Sequence, residues 1–309
     1  MYFQPEAPDP VLADDVVLSL VRRHVPGATA VRSVDESGGE ARTYAVDADV
    51  ILKVQRPMQL RTGTSLEREA VFLRHLAQAD PGVPVPRILG HGWSGPMVEY
   101  TVLTRMPGSA MRRVTLDRAA REGVLTALGA TLRRIHRVPQ DPLADSDLFP
   151  GDRGLPDLQG RMGEAFAGIA ERLGRSRHPW TFPEPLEAIG SAVMRSMPRG
   201  EARVALHSNP GPEHAFIDPD GGRFRGLIDF GDAYISHPAL DLRRWAGPGD
   251  RDAIFAGYTA REPVTPGFLA VWRAVCMLWD ASAIAAGGDA AAVATDLRQL
   301  LGEISGRGI

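Results

Sequence analysis

The chain is poor in lysine, cysteine, net charge and long apolar runs, and each shortage excludes something. Its single cysteine, Cys276, rules out an internal disulfide framework or a cysteine-rich metal site and fits the cytosol. A formal net charge of -3 leaves no basic excess for nucleic acid. No apolar stretch runs uninterrupted for about 18 residues, the length of a membrane span. The most apolar segment, Val271 to Ala286, carries Arg273 and Asp280 and reads as a core helix. Met1 to Pro5 lacks the basic-then-apolar pattern of a signal peptide, so a soluble cytoplasmic protein without a membrane partner is expected. There is no internal repeat, no His-Glu-x-x-His helix and no Gly-x-x-x-x-Gly-Lys-Ser/Thr loop. That argues against a zinc hydrolase built on His207, His214 and Asp229, and excludes a P-loop NTPase.

Lysine is the sharpest shortage: among 35 basic residues only Lys53 is not arginine. Arginine presents a wide planar fork and lysine a compact charge on a flexible stem, so the two exchange badly where space is tight. Lys53 sits in Val50-Ile51-Leu52-Lys53-Val54, a run suited to a buried strand. A lysine emerging there needs an anionic partner, and a phosphate is a common one.

With 309 residues, 44% of them apolar, the chain can bury a large core, and its length favours two domains or lobes. Helical spacing covers Val11 to His24, and strands are expected at Val31 to Val34, Thr43 to Val46 and Val50 to Gln55. Asp35 to Glu40 reads as a glycine-bearing hairpin loop. Ser65 caps a helix with Leu66, Ala70, Leu73 and Leu76 on one face, and Val98 to Leu103 is a further strand. Beyond Thr115 the pattern turns helical, over Asp117 to Arg137, Leu158 to Leu173 and Glu184 to Met197. Asp141 to Pro156 between them reads as a loop. A strand-rich first third followed by a helical remainder suggests two lobes.

Val204 to Leu206 forms a short strand entering the polar loop His207 to His214. Ala215 to Asp218 and Phe224 to Phe230 then flank Pro219-Asp220-Gly221-Gly222, a strong hairpin signal. Folding that hairpin brings His214 beside Asp229, near the loop containing Asn209. Such a constellation suits a divalent cation, although capping residues of an ordinary hairpin give the same pattern.

These segments together resemble the aminoglycoside phosphotransferase family, relatives of protein kinases. The likeness spans nearly the whole chain, and it rests on the order of its motifs rather than on any one. Ser37-Gly38-Gly39-Glu40-Ala41-Arg42-Thr43-Tyr44 resembles the family's nucleotide-covering loop, and Lys53 falls at its phosphate-binding lysine. Leu66-Glu67-Arg68-Glu69-Ala70 resembles the helix whose glutamate pairs with that lysine, making Glu69 the partner. Leu103-Thr104-Arg105-Met106-Pro107-Gly108 looks like the hinge at the adenine, and Leu132-Arg133-Arg134-Ile135-His136 like the helix that follows it. Leu227-Ile228-Asp229-Phe230-Gly231-Asp232 resembles the metal-binding aspartate motif, ahead of Pro238-Ala239-Leu240-Asp241-Leu242.

The resemblance implies an α+β, bilobal protein-kinase-like fold. A small strand-rich N-terminal lobe (residues 1–104) would bind nucleotide, and a larger helical lobe (105–309) would carry the catalytic loop and acceptor pocket. It implies an ATP- or GTP-dependent phosphotransferase acting on a small-molecule acceptor, an antibiotic or a metabolite. Ser37, Gly38, Gly39, Lys53, Glu69, Thr104 and Met106 would hold nucleotide, and His214 and Asp229 would hold Mg2+. Asp232 would assist the metal or cap a turn, and Asp241 would stabilise the catalytic loop. Acceptor candidates are Asp280 with Trp272, Met277 and Trp279, and the acidic loop Asp145, Asp147 and Asp152.

One segment departs from the family pattern. Its catalytic loop usually reads His-Gly-Asp with an asparagine five residues later, whereas this chain has His207-Ser208-Asn209 and His214. Macrolide phosphotransferases resemble the chain in having histidine at the second metal position. An amide at 209 cannot take a proton but can orient a hydroxyl. Three explanations stand: a kinase with a modified loop, in which the acceptor is already ionised or His207 or Glu213 substitutes as base; a nucleotide-binding pseudokinase; or an asparagine introduced in place of aspartate.

Overall fold

The computed structural model describes residues 11–35, 38–56, 65–95, 98–152, 154–175, 185–220, 222–242, 245, 247–287, 298 and 302. The chain divides into two compact units, neither of them contiguous. One draws on Met1–Thr115, Arg137–Phe149 and Pro212–Ala233, the other on Leu116–His136, Pro150–Gly211 and Tyr234–Ile309.

The first unit is built on an antiparallel sheet of β1 (Val31–Asp35), β2 (Ala41–Val46), β3 (Val50–Gln55), β4 (Ile88–Ser94) and β5 (Val98–Thr104), in the order β1-β2-β3-β5-β4. Side chains alternate across β3. Leu52 and Val54 join Tyr44, Tyr100 and Val102 in a core closed by Val17, Leu20 and Val21 of α1 (Asp14–Arg22). Period two therefore turns Lys53 to the opposite face, where its register partners are Thr43 and Thr101. α2 (Leu66–Ala79) begins where the Ser65 side chain accepts the Arg68 N–H, as its capping sequence predicts, and buries Leu66, Ala70, Phe72, Leu73 and Leu76.

A second, three-stranded sheet joins β6 (Ser109–Ala110), β8 (Ala215–Ile217) and β9 (Phe224–Leu227) in the order β6-β8-β9. Gly226 of β9 has no room for a side chain, because a Cβ there would come 2.4 Å from the Pro84 carbonyl oxygen and 2.7 Å from Met106. The segment Asp141 to Pro156, expected to be a loop, contains the one-turn helix α4 (Asp141–Ala144), and its end already belongs to α5 (Leu155–Arg175). The strand β4 was not expected, since Gly90 and Gly92 interrupt its apolar pattern. Those glycines let His24 and Tyr100 approach, and a Cβ at Gly90 would lie 2.1 Å from the His24 ring.

The second unit is mainly helical, with α3 (Arg118–Arg137), α5, α6 (Leu186–Ser196), α7 (Pro248–Thr259) and α8 (Pro266–Ala285). A two-stranded sheet pairs β7 (Val204–Leu206) with β10 (Tyr234–Ser236). α3 and α7 cross at backbone distance through Gly129 and Gly257. A Cβ at either glycine would fall 1.9 Å from a carbonyl oxygen of the other helix. α8 starts at Pro266 under a Thr265 cap and has the length and apolarity of a membrane span, but 61% of that span is buried in protein. Its Cys276 is buried.

Candidate active site

Within the first unit, four of the residues singled out from sequence meet. Lys53 Nζ lies 3.0 Å from Glu69 Oε2 and 2.5 Å from Asp229 Oδ1. Asp229 Oδ2 faces His214 Nε2 at 3.2 Å. The hairpin register explains the second approach. Ala215 pairs with Leu227, and the Ile228 N–H donates to the His214 carbonyl at 3.1 Å, so residues 214 and 229 extend from the same end of the hairpin. Side-chain exposure is 2% at Glu69, 16% at Lys53 and 40% at Asp229, so the ammonium is sheltered beside the helix while the aspartate remains open to a ligand.

α2 also fixes the backbone after Asp229. Glu69 Oε1 accepts the Phe230 N–H at 3.1 Å, and Arg68 Nη1 donates to the Gly231 carbonyl at 3.3 Å. Asp229 itself adopts φ +74°, a conformation that costs a non-glycine residue energy and persists where its surroundings hold it. Burial works to lower the Lys53 pKa, yet the charges of Asp229 and Glu69 outweigh it and hold the ammonium protonated. Burial pushes the Glu69 carboxyl up against the pull of Lys53. Burial would also raise Asp229, but Lys53 and His214 hold it well below the usual carboxylate range. The result is a fixed cation beside an ionised, accessible carboxylate, an arrangement able to bind a phosphate and a metal ion.

The remaining nucleotide candidates are placed as follows. Ser37 lies outside the described residues. Gly38 makes a tight turn, where a Cβ would come 2.6 Å from the Ala41 carbonyl oxygen, and Gly39 follows it at the entrance to β2. Thr104 Oγ1 accepts the Arg87 N–H at 2.8 Å, and Met106 is half-buried against Gly226. Glu213 is half-buried one residue before His214. Asp232 lies where its charge acts on Arg68.

The loop His207-Ser208-Asn209 belongs to the second unit. The Asp241 carboxylate accepts the backbone N–H groups of His207 and Ser208, each at 2.7 Å. His136 Nε2 donates to Asp241 Oδ2 at 3.0 Å, and Tyr258 Oη lies 3.0 Å from His136 Nδ1. Burial favours a protonated Asp241, but the hydrogen bond and charge of His136, with His207, hold its pKa below the ordinary value. His207 is fully buried, and its Nδ1 accepts the Asn209 N–H at 3.2 Å, so the ring braces the loop. Asn209 is half-buried.

Sequence reasoning left His136 without a role and did not single out Arg68 or Tyr258. Their partners lie 105, 163 and 122 residues away along the chain, beyond the reach of any local pattern. Two of the four expected acceptor carboxylates are engaged elsewhere. Asp280 is wholly buried and paired with Arg251 at 2.8 Å, and Asp152 is buried between Arg161 and Ser236. Asp145 and Asp147 are exposed and belong to the first unit, apart from Asp152 in the second. Trp272 stacks on Phe255 at 5.6 Å, and Met277 is buried. Trp279 lines a groove of about 280 Å3 with Glu164, Ile169, Arg172, Val275 and Leu278.

Residues 32–290 match the sequence profile of the phosphotransferase enzyme family. The chain belongs to this family. A homoserine kinase of Caulobacter sp. (strain K31) is 31% identical over 97 residues, and the matched segment spans 28% of this chain and 29% of that kinase. Among solved structures, the GDP complex of aminoglycoside 2'-phosphotransferase-IIIa superposes with a TM-score of 0.61 at 16% identity, covering 96% of this chain and 100% of that one. A complex of another aminoglycoside phosphotransferase with streptomycin and ATP gives 0.58 at 14% identity, covering 89% and 91%. The macrolide 2'-phosphotransferase of Brachybacterium faecium gives 0.56 at 20% identity, covering 89% and 94%. The α+β, protein-kinase-like fold expected from sequence is thereby shown for this member of the phosphotransferase enzyme family.

Proposed function

We propose that the protein transfers the terminal phosphoryl group of ATP or GTP to a small-molecule acceptor. The observation that carries this reading is the sheltered Lys53–Glu69 pair abutting Asp229 in a member of the phosphotransferase enzyme family. Phosphoryl transfer passes through a loose transition state, so positioning and charge neutralisation do most of the catalysis. Lys53 holds the α- and β-phosphates and Glu69 keeps its ammonium in place. Ser37, Gly38 and Gly39 cover the phosphates, and Thr104 and Met106 lie along the adenine. Asp229 and His214 hold the divalent cation, Mg2+ or a related ion, which neutralises phosphate charge when bound. In this reading residues 1–104 serve the nucleotide, and residues 105–309 supply the catalytic loop and acceptor pocket.

Asn209 orients the acceptor hydroxyl without taking its proton, which forfeits a general-base contribution of about 10²–10⁴ in rate. The buried, engaged ring of His207 supports a bracing part for it, which leaves Glu213 as the substitute base or an acceptor that is already ionised. Arginine partners on Asp280 and Asp152 favour an acceptor that is not a polycation, since clustered free carboxylates are what a polycation would need. A pseudokinase is the second reading, and Asn209 is the observation that favours it.

Calorimetry of nucleotide binding with and without Mg2+, followed by an ATP-consumption screen over antibiotics and metabolites, separates the two. Turnover on an acceptor is expected, and N209D should raise it by about 10²–10⁴ where the missing base limits the rate. Magnesium-dependent binding without turnover in either form leaves the pseudokinase. Absence of nucleotide binding defeats both readings.

A further inference from the structure

His214 gives the candidate cation position a nitrogen donor. Asp229 Oδ1 is engaged by Lys53, so the carboxylate presents a single oxygen, Oδ2, and that atom faces His214 Nε2 at 3.2 Å. Two donors about 2.1 Å from one ion, at right angles about it, stand about 3.0 Å apart, so this pair fits adjacent positions on a single divalent cation. The hairpin register and the Ile228–His214 hydrogen bond hold both residues in place. Among the described residues no group of three histidine, cysteine or acidic side chains gathers to hold a metal, so His214 and Asp229 are a two-donor pair whose remaining ligands would have to come from nucleotide and water.

We propose that His214 and Asp229 form a mixed nitrogen–oxygen site that selects a first-row transition cation over Mg2+ in the nucleotide complex. The inference rests on the phosphotransferase reading above. Mg2+ takes oxygen ligands, keeps several waters and yields them reluctantly. Imidazole suits the later first-row ions, whose affinity for such sites rises along the series from Mn2+ through Co2+ to Cu2+. An imidazole at this position therefore costs Mg2+ an oxygen ligand and offers Co2+ a better one.

The test uses the full chain with ADP, with Co2+ as the probe ion and Mg2+ as its competitor. Nucleotide itself prefers some cations, so the quantity read by calorimetry is the Co2+/Mg2+ affinity ratio of the wild type divided by that of H214N. A quotient of at least about tenfold is expected, corresponding to about 1.4 kcal/mol. A paramagnetically shifted imidazole N–H resonance should also appear in the wild-type Co2+–ADP complex, a readout that needs neither turnover nor a folded variant. Nucleotide binding with a quotient near one, or with no shifted imidazole signal, overturns this inference and leaves the phosphotransferase reading standing. Failure to bind nucleotide with either cation overturns both.

Discussion

Ser208 holds φ at +80°, a conformation glycine adopts freely and serine does not. What keeps it there is the Asp241 carboxylate, which takes its N–H at 2.7 Å. S208G retains that donor and removes the Cβ penalty, while adding some freedom to the unfolded chain. A net stabilisation of about 0.5–1 kcal/mol is expected from urea unfolding midpoints, and destabilisation would mean the serine hydroxyl has an essential partner.

His237 stores a different kind of cost. Its Nδ1 accepts the Ala239 N–H at 3.2 Å, and its Nε2 is buried with no hydrogen-bond partner among the described residues. Burial first, then the charges of Arg203 and His136, pushes its pKa down to about 3. The unfolded chain, with a pKa near 6.5, therefore binds this proton more readily than the folded one. Stability contributed by the neutral ring is present above pH 6.5 and drains away as pH falls toward 3. H237N keeps an acceptor for Ala239 without the titration. Between pH 6 and 4 its unfolding free energy should fall less steeply than the wild type's, by up to about 1.4 kcal/mol per pH unit. Parallel curves for the two proteins would refute the assignment.

At the scale of elements, the placement of α2 decides the candidate site, because Arg68 and Glu69 leave its first turn. A buried carboxylate on β5 anchors that turn. Glu99 Oε2 accepts the Leu66 N–H at 3.0 Å and the Gln55 amide at 2.7 Å, and Oε1 meets His91 Nε2 at 2.7 Å. E99A strands these donors out of water and should cost about 2–4 kcal/mol in unfolding free energy. Amide hydrogen exchange in α2 should quicken more than in α3 or α8; uniform loosening would make Glu99 a general stabiliser. The helix itself was legible from its cap and apolar spacing, as were β2, β3 and the β8–β9 hairpin that brings His214 to Asp229. Strand β4 was hidden because its glycines serve the close approach of His24 and Tyr100 rather than any alternation. Asp241 was legible as a brace of the catalytic loop, but its partners His136 and Tyr258 were hidden, since they stand on two helices that no local spacing relates. Lys53 was legible for a rarer reason, as one lysine in an arginine-rich chain at a position where period two turns it away from the apolar core.

At the scale of the whole molecule, the threading of the chain matters more than the count of its elements. Each compact unit borrows segments from distant parts of the sequence, so no single cut separates them. The first unit depends on residues 137–149 and 212–233 for more than the candidate site. Phe72 of α2 packs edge-on against both Phe149 and Phe230, at 5.9 and 5.3 Å between ring centres, and Glu69 takes its backbone hydrogen bond from Phe230. A fragment of residues 1–115 keeps all five strands of the larger sheet but uncovers Phe72 and loses both aromatic partners. Burying one such side chain is worth about 1.5–3 kcal/mol, a large part of a small domain's net stability of about 5–15 kcal/mol. The fragment should retain far-ultraviolet strand signal, lose near-ultraviolet dichroism, and bind a hydrophobic dye. It should also fail to bind nucleotide at concentrations that saturate the full chain, because Asp229 and His214 are absent. A fragment that unfolds cooperatively and binds nucleotide normally would show that the borrowed segments are dispensable, and would move the candidate site away from Asp229.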